Sequence, residues 1–217
     1  VVGNNILHNN QPINLEWSNG NGIIFKKKIE LDDKYLFKIS QQVQNNTNQP
    51  VALYPYAQIT RNKIPDDIQN FYISHEGFIG VFDEELKEDD YDDIQEKKIV
   101  REANEGWLGI TDKYWMTAVV PEKGENFKST FLYKDAFKAN YILNNPTTIA
   151  PSSSNSNNVR LFVAAKEVQT IDNYAEELEN MPPGVGGRRR RLKSIEEFLL
   201  NQSKPPLIMD TRARKQR

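Results

Sequence analysis

Cysteine is absent from the 217 residues. That one absence excludes disulfides, thiolate metal sites and a cysteine nucleophile, although it leaves the compartment open. Histidine is nearly absent. With only His8 and His75 present, a histidine-built metal centre or a histidine-based catalytic triad has almost no material. No run approaches the roughly 20 apolar residues that cross a bilayer, and the opening VVGNNILHNN has neither a basic n-region nor an apolar h-region. The chain as it stands is therefore expected to be soluble and to carry no export signal. The missing methionine at position 1 points to a piece of a longer protein. No glycine-rich phosphate loop of the required spacing occurs. Hydrophobic residues make up 38%, below the usual share, which predicts an adequate core under a very polar surface.

What is present is charge, unevenly placed. The net charge of −2 hides 18 Lys+Arg against 27 Asp+Glu in residues 1–180, or −9, and 10 against 3 in residues 181–217, or +7. The two parts obey different rules. The RRRR run at 188–191 has the charge to meet nucleic acid, anionic lipid or an acidic protein. A −9 body argues against nucleic acid, and the aromatic-interleaved basic strand of an RNA module is missing.

From residue 13 to about 165 the pattern is that of strands separated by turn clusters. INLEW alternates, SNGNG at 18–22 supplies Asn-Gly twice, and IIFKKKIEL follows up to the break at Asp32-Asp33. KYLFKISQQVQN alternates with Tyr35, Phe37 and Ile39 on one side, and NNTNQP turns the chain into VALYPYAQIT. FYISHEGFIGVF, 71–82, reads as a bent strand whose glycines at 77 and 80 allow a bulge or a close backbone approach. The acidic stretch 83–98 carries too many like charges for a packed helix and is expected to be an exposed loop leading into KKIVREA. NFKSTFLYK and AFKANYIL alternate as two more strands. The Pro, Ser and Asn rich 144–158 is expected to be loop, and VRLFVAAKEV a last strong strand.

The segment GWLGITDKYWMTAVVP, 106–121, is apolar on both faces in its second half. Trp107, Gly109 and Thr111 share one face and Leu108 and Ile110 the other, with Asp112-Lys113 as the turn and Pro121 as the stop. Strands apolar on both faces are normally covered on both. A central hairpin of an all-β core follows, with Trp107 and Trp115 between sheets rather than on a ligand platform. A short helix fits 169–180, where Ile171, Tyr174 and Leu178 form an i, i+3, i+7 stripe. Beyond residue 180, MPPGVGG breaks the chain. A helix over 192–202, with Ser194 and Glu197 in capping-box spacing, is marginal alone in water, so the tail is expected to be disordered.

Candidate chemistry is sparse. Acid pairs occur at Asp32-Asp33, Asp66-Asp67, Glu84-Glu85, Asp89-Asp90 and Asp92-Asp93. A glycosidase needs two carboxylates facing each other across roughly 5 to 10 Å, whereas neighbours on a strand point to opposite faces. The pairs read as solvated surface. His75-Glu76-Gly77 is the one constellation that looks placed, since a histidine beside a carboxylate has the parts for acid–base work. No second histidine or nucleophile is near in sequence, and a histidine satisfied by backbone hydrogen bonds at a bulge is commoner. No catalytic, cofactor-binding or metal-binding residue is assigned.

The order of LEWSNGNGIIFKKKIELDDKYLFKISQQVQN, PVALYPYAQITR, YISHEGFIGVF, GWLGITDKYWMTAVVP and RLFVAAKEVQTIDNYAEEL resembles the large periplasmic domain of the YidC membrane protein insertases of Gram-negative bacteria, most closely the alphaproteobacterial form. The similarity runs from about residue 13 to 178. LYPYA, HEG, TDKYW and LFVAAKE in this order make it specific. The resemblance implies a mainly β fold, an antiparallel β-supersandwich similar to galactose mutarotase, with a short C-terminal helix and further strands upstream. It implies a domain over 1–180, truncated at its N-terminus, on the periplasmic side of the inner membrane. It also implies a non-enzymatic role, without cofactor, through contacts with Sec accessory subunits (SecDF) and membrane protein clients. The alternative that the same fold implies is a carbohydrate-binding or aldose-epimerase-like protein. After Leu178 the chain departs from the family's interfacial and transmembrane helices. The basic tail 181–217 matches nothing in the family, and no insertase residue carries over.

Overall fold

The computed structural model describes residues 1–9, 11–33, 35–65, 68 and 75–165. Along them run β1 (Ile13–Ser18), β2 (Ile23–Leu31), β3 (Leu36–Asn45), β4 (Val51–Leu53), β5 (Tyr56–Arg61), β6 (Gly77–Phe82), β7 (Glu85–Asp90), α1 (Tyr91–Glu96), β8 (Ile99–Ala103), β9 (Gly106–Thr111), β10 (Trp115–Val120), β11 (Phe127–Lys134), β12 (Ala136–Leu143), β13 (Thr147–Ile149) and β14 (Ser153–Ala165). An eight-stranded sheet has the order β1-β2-β3-β14-β10-β9-β6-β7, and a four-stranded sheet the order β5-β12-β11-β8. A two-stranded ribbon of β13 and β4 completes the antiparallel assembly. The antiparallel β-sandwich anticipated from the alternating pattern is the observed fold. The helix expected at 169–180 and the tail 181–217 lie outside the described residues, as do positions 71–74 of the bent strand. The helix that is described, α1, sits in the middle of the chain.

Period-two patterning positions the core. Along β11 and β12 every second residue turns inward, so that Phe127, Phe131, Phe137, Ala139 and Tyr141 meet Phe78, Leu108, Ile110 and Val119 of the large sheet. Rings interlock at angles suited to their quadrupoles. Phe78 lies 5.0 Å from Phe131, and Tyr91 of α1 lies edge-on to Phe137 at 4.8 Å.

The β9–β10 hairpin is apolar on both faces because both are covered. Leu108, Ile110 and Val119 enter the core between the sheets, while Trp107, Met116 and Ala118 join Ile79 and Val81 in a second buried cluster. Trp107 is buried, though in this second cluster rather than between the two sheets, and Trp115 is not, with 59% of its surface exposed. It is the first residue after the turn, which Asp112 N–H closes by donating to Trp115 O at 2.8 Å. Along its face exposure falls from Trp115 through half-buried Thr117 to buried Val119, so only the far half of the strand reaches the core.

Two loop expectations are corrected. The acidic stretch contains β7 and α1, because every residue of β7 pairs with β6, from Phe82↔Glu85 to Gly77↔Asp90. Tyr91 and Ile94, one turn apart, are buried under α1, while Asp92 and Asp93 face its positive N-terminal end. Like charges do not forbid a helix whose apolar side is anchored. In the Ser and Asn rich 144–158, β13 and the first half of β14 form instead. Ser153 to Asn157 pair with Asn45 to Gln41 of β3, so the backbone ladder supplies the order, and Ser154, Asn155 and Ser156 keep exposed side chains.

One buried polar group holds this region. Asn45 is fully buried, and its Nδ2 donates to Gln49 O (2.8 Å) and Ile149 O (3.0 Å). Its Oδ1 accepts from Thr47 N–H (2.9 Å) and Thr47 Oγ1 (2.7 Å). Removing it strands several buried backbone groups, so Asn45→Leu is expected to cost about 1 to 3 kcal/mol despite added apolar bulk; a gain in stability would contradict that account. For the hairpin, Trp107→Ala should lower the unfolding free energy by about 3 to 5 kcal/mol, while Trp115→Ala should change it by about 0.5 kcal/mol or less. Equal shifts of the urea midpoint would reverse the assignment of the two tryptophans.

Candidate functional site

The end of β5, the β9–β10 turn and the start of α1 converge on one group of charged side chains. Arg61 Nη1 pairs with Asp112 Oδ2, and the other oxygen of Asp112 accepts from Tyr91 Oη at 3.2 Å. Arg61 Nε donates to Lys63 O at 2.9 Å, and its guanidinium lies 6.0 Å from the centre of the Tyr91 ring. Burial, and after it the Asp112 carboxylate, pushes the Tyr91 phenol well above its ordinary range. The cluster ties the edge strand of the small sheet to the central hairpin of the large one.

His75 stands at the entry to β6, mostly buried. Its Nε2 lies 2.8 Å from Phe78 O, the geometry of an N–H donated to that carbonyl, and its Nδ1 lies 3.6 Å from Asp90 Oδ1. The ring rests against Gly77, where a Cβ would come within 2.6 Å of Asp89 O and 3.1 Å of the imidazole. With φ of +156° as well, that position favours glycine. The close backbone approach expected of this glycine is therefore realised, and it seats the histidine on a backbone carbonyl.

Of the acid pairs expected to be solvated surface, Asp89-Asp90 lies within a strand and divides as strand geometry requires, so Asp89 corrects that expectation. Asp89 turns inward, where both its oxygens meet Arg101 at 2.8 Å, and the guanidinium lies 5.5 Å from the Phe82 ring and 5.6 Å from the Phe131 ring. Asp90 turns outward to His75. Asp32 accepts from Leu36 N–H at 2.9 Å, and Asp33 accepts from Asn9 Nδ2 at 2.7 Å. Asp66-Asp67 lies outside the described residues. His8 pairs with Gln11 next to β1, whereas His75 lies beside β6, with five strands between them in the sheet order. Nothing brings the two histidines together. Among the described residues no group of three or more His, Asp or Glu is arranged to hold a metal ion. An open depression of about 390 Å³ on the outer face of β1, β2 and β3 is lined by Asn14, Glu16, Lys26, Lys28, Gln42 and Ser156.

Arg61 and Tyr91 were not singled out by the sequence, and Asp112 was read only as a turn residue. The one available signal was TDKYW itself, a charged turn inside an otherwise apolar hairpin.

Fold and site together describe a β-sandwich of the galactose mutarotase kind whose partly buried Asp89 and Asp112 are each paired with an arginine. The fold is similar to that of a galactose mutarotase related enzyme from Lactobacillus acidophilus, with a TM-score of 0.53 over 72% of this chain and 69% of the other. At 11% identity that is a likeness of fold alone. Residues 3–182 match the YidC periplasmic domain, and the chain belongs to that family. The membrane protein insertase YidC of Pelagibacter ubique is 48% identical over 178 residues, 82% of this chain. That of Cereibacter sphaeroides is 38% identical over 189 residues, 81% of this chain. The chain spans about a third of the length of these relatives, 32% and 30% respectively. Among the described residues no helix is long and apolar enough to cross a membrane.

Tyr91 and Tyr141 yield a pH test. Burial raises both phenols, Glu122 adding to the effect at Tyr141 and Asp112 at Tyr91. A raised folded-state value means that the native chain holds protons which the unfolded chain releases. Their contribution is complete below a pH of about 10 and is lost above it. The urea midpoint should fall as pH rises past that point, and the fall should be smaller in Tyr91→Phe/Tyr141→Phe. An identical decline in the double variant would remove these phenols as its cause.

Proposed function

We propose that the chain acts as a non-catalytic periplasmic module of a membrane protein insertase, contributing protein–protein contacts during insertion and folding of membrane proteins. Its partners are the Sec translocon accessory subunits, SecDF, and membrane protein clients, met on the periplasmic side of the inner membrane. The domain takes in residues 1–180, and the basic 181–217 stands outside it. The observation that carries the reading is the match of residues 3–182 to the YidC periplasmic domain. The geometry is consistent with it. His75, the one candidate acid–base group near a carboxylate, has Nε2 committed to a backbone carbonyl and Nδ1 facing Asp90. A mutarotase-like reaction on this scaffold calls for two histidines and an acid around one cleft, and His8 lies at the other end of the sheet order.

Co-purification of the full chain with the periplasmic segments of SecDF checks the partner. Retention at micromolar concentrations is the expected result, and no retention removes SecDF from the reading. An anomerisation assay with several hexoses checks the role. Acceleration that His75→Ala abolishes would replace the contact module with an epimerase.

A further inference from the structure

We propose that Asn21 is a site of spontaneous deamidation and isoaspartate formation, and that the fold directs this modification to Asn21 and away from Asn19. Asn-Gly occurs in the chain only at 19–20 and 21–22, side by side in the β1–β2 turn. Sequence alone makes the two equivalent. In each, the backbone nitrogen of the following glycine, once it gives up its proton to solvent, can attack the side-chain carbonyl carbon. The new N–Cγ bond closes a five-membered imide, the Cγ–Nδ2 bond breaks, and Nδ2 takes up a proton and leaves as ammonia. Water then opens the ring at either carbonyl, giving aspartate or the isomer in which the main chain runs through the β-carboxyl.

The turn treats the two asparagines differently. Asn19 Oδ1 accepts from Asn21 N–H at 2.8 Å and from Ile23 N–H at 3.0 Å, and these two bonds fix its amide in the middle of the turn. Its attacking group is also occupied, since Gly20 N–H donates to Ser18 Oγ at 3.2 Å. Among the described residues neither the Asn21 side chain nor the Gly22 N–H has a hydrogen-bond partner. Asn21 is exposed, so water and hydroxide reach it. Asn19 must therefore break two hydrogen bonds at its carbonyl and one at its nucleophile before it reacts, whereas Asn21 breaks none. Even one net hydrogen bond lost before the attack slows the step by roughly tenfold.

The modification has a structural reach. Gly22 O accepts from Asn46 N–H at 2.7 Å, which ties the β1–β2 turn to the end of β3. An isoaspartyl link inserts one extra main-chain atom just before Gly22 and adds a carboxylate at the tip, so that bond loosens.

The full chain is incubated at mildly alkaline pH and digested, and the peptide ending at Lys26 is sequenced by fragmentation mass spectrometry, which places the amide-to-acid mass change at 19 or at 21. Folded protein is expected to convert at 21 about ten times faster than at 19, and the free peptide 1–26 to convert at both positions at similar rates. Ser18→Ala should raise the rate at 19 by freeing the Gly20 N–H. Hydrogen exchange at Asn46 should quicken in the converted fraction. Equal rates in the folded chain, faster conversion at 19, or conversion at 21 in the free peptide but not in the folded chain would each overturn the proposal.

Discussion

A strand that is apolar on both faces has to be covered twice, and the β9–β10 hairpin imposes that demand on everything around it. Leu108, Ile110 and Val119 need a second sheet, and the four-stranded sheet with its inward Phe127, Phe131, Phe137 and Tyr141 answers them. Trp107, Met116 and Ala118 need their own neighbours, and Ile79 and Val81 of β6 lie beside them. Burying a large aromatic or aliphatic side chain is worth about 1.5 to 3 kcal/mol, which far outweighs an exposed ion pair at up to about 1 kcal/mol. Beside β6 runs β7, acidic yet paired along its whole length, because the apolar strand next to it supplies the ladder.

What could be read in advance was whatever follows a period. β11 and β12 alternate over most of their length, and both strands were apparent from the residues alone. The Asn-Gly pairs announced the β1–β2 turn. Where composition opposed the outcome, the reading failed for a physical reason. Charge density along 83–98 hid Tyr91 and Ile94, two residues whose burial outweighs the repulsion of their neighbours. Ser and Asn in 153–158 suggested a loop because their side chains have little strand preference, yet β3 presents a ladder of matching length. Trp115 was misplaced because alternation tells which face a residue takes and not how far along the strand the core extends. The Arg61–Asp112–Tyr91 cluster had no local pattern at all, since its members come from three elements 51 residues apart at the widest.

The same economy bears on why a mutarotase-like fold need not carry mutarotase-like chemistry. Acid–base catalysis needs a carboxylate or imidazole that is held in place and left facing a substrate. In this sandwich Asp89 is matched by the fork of Arg101, and Asp112 by Arg61 and the Tyr91 hydroxyl. Each partner comes from a different strand, turn or helix, so each pair closes a seam between elements. A side chain used in that way is costly to free, since breaking a partly buried pair leaves one desolvated charge behind. Groups that close seams serve rigidity. Asp89 and Asp112 thus each face a cation of the same chain that comes from another element.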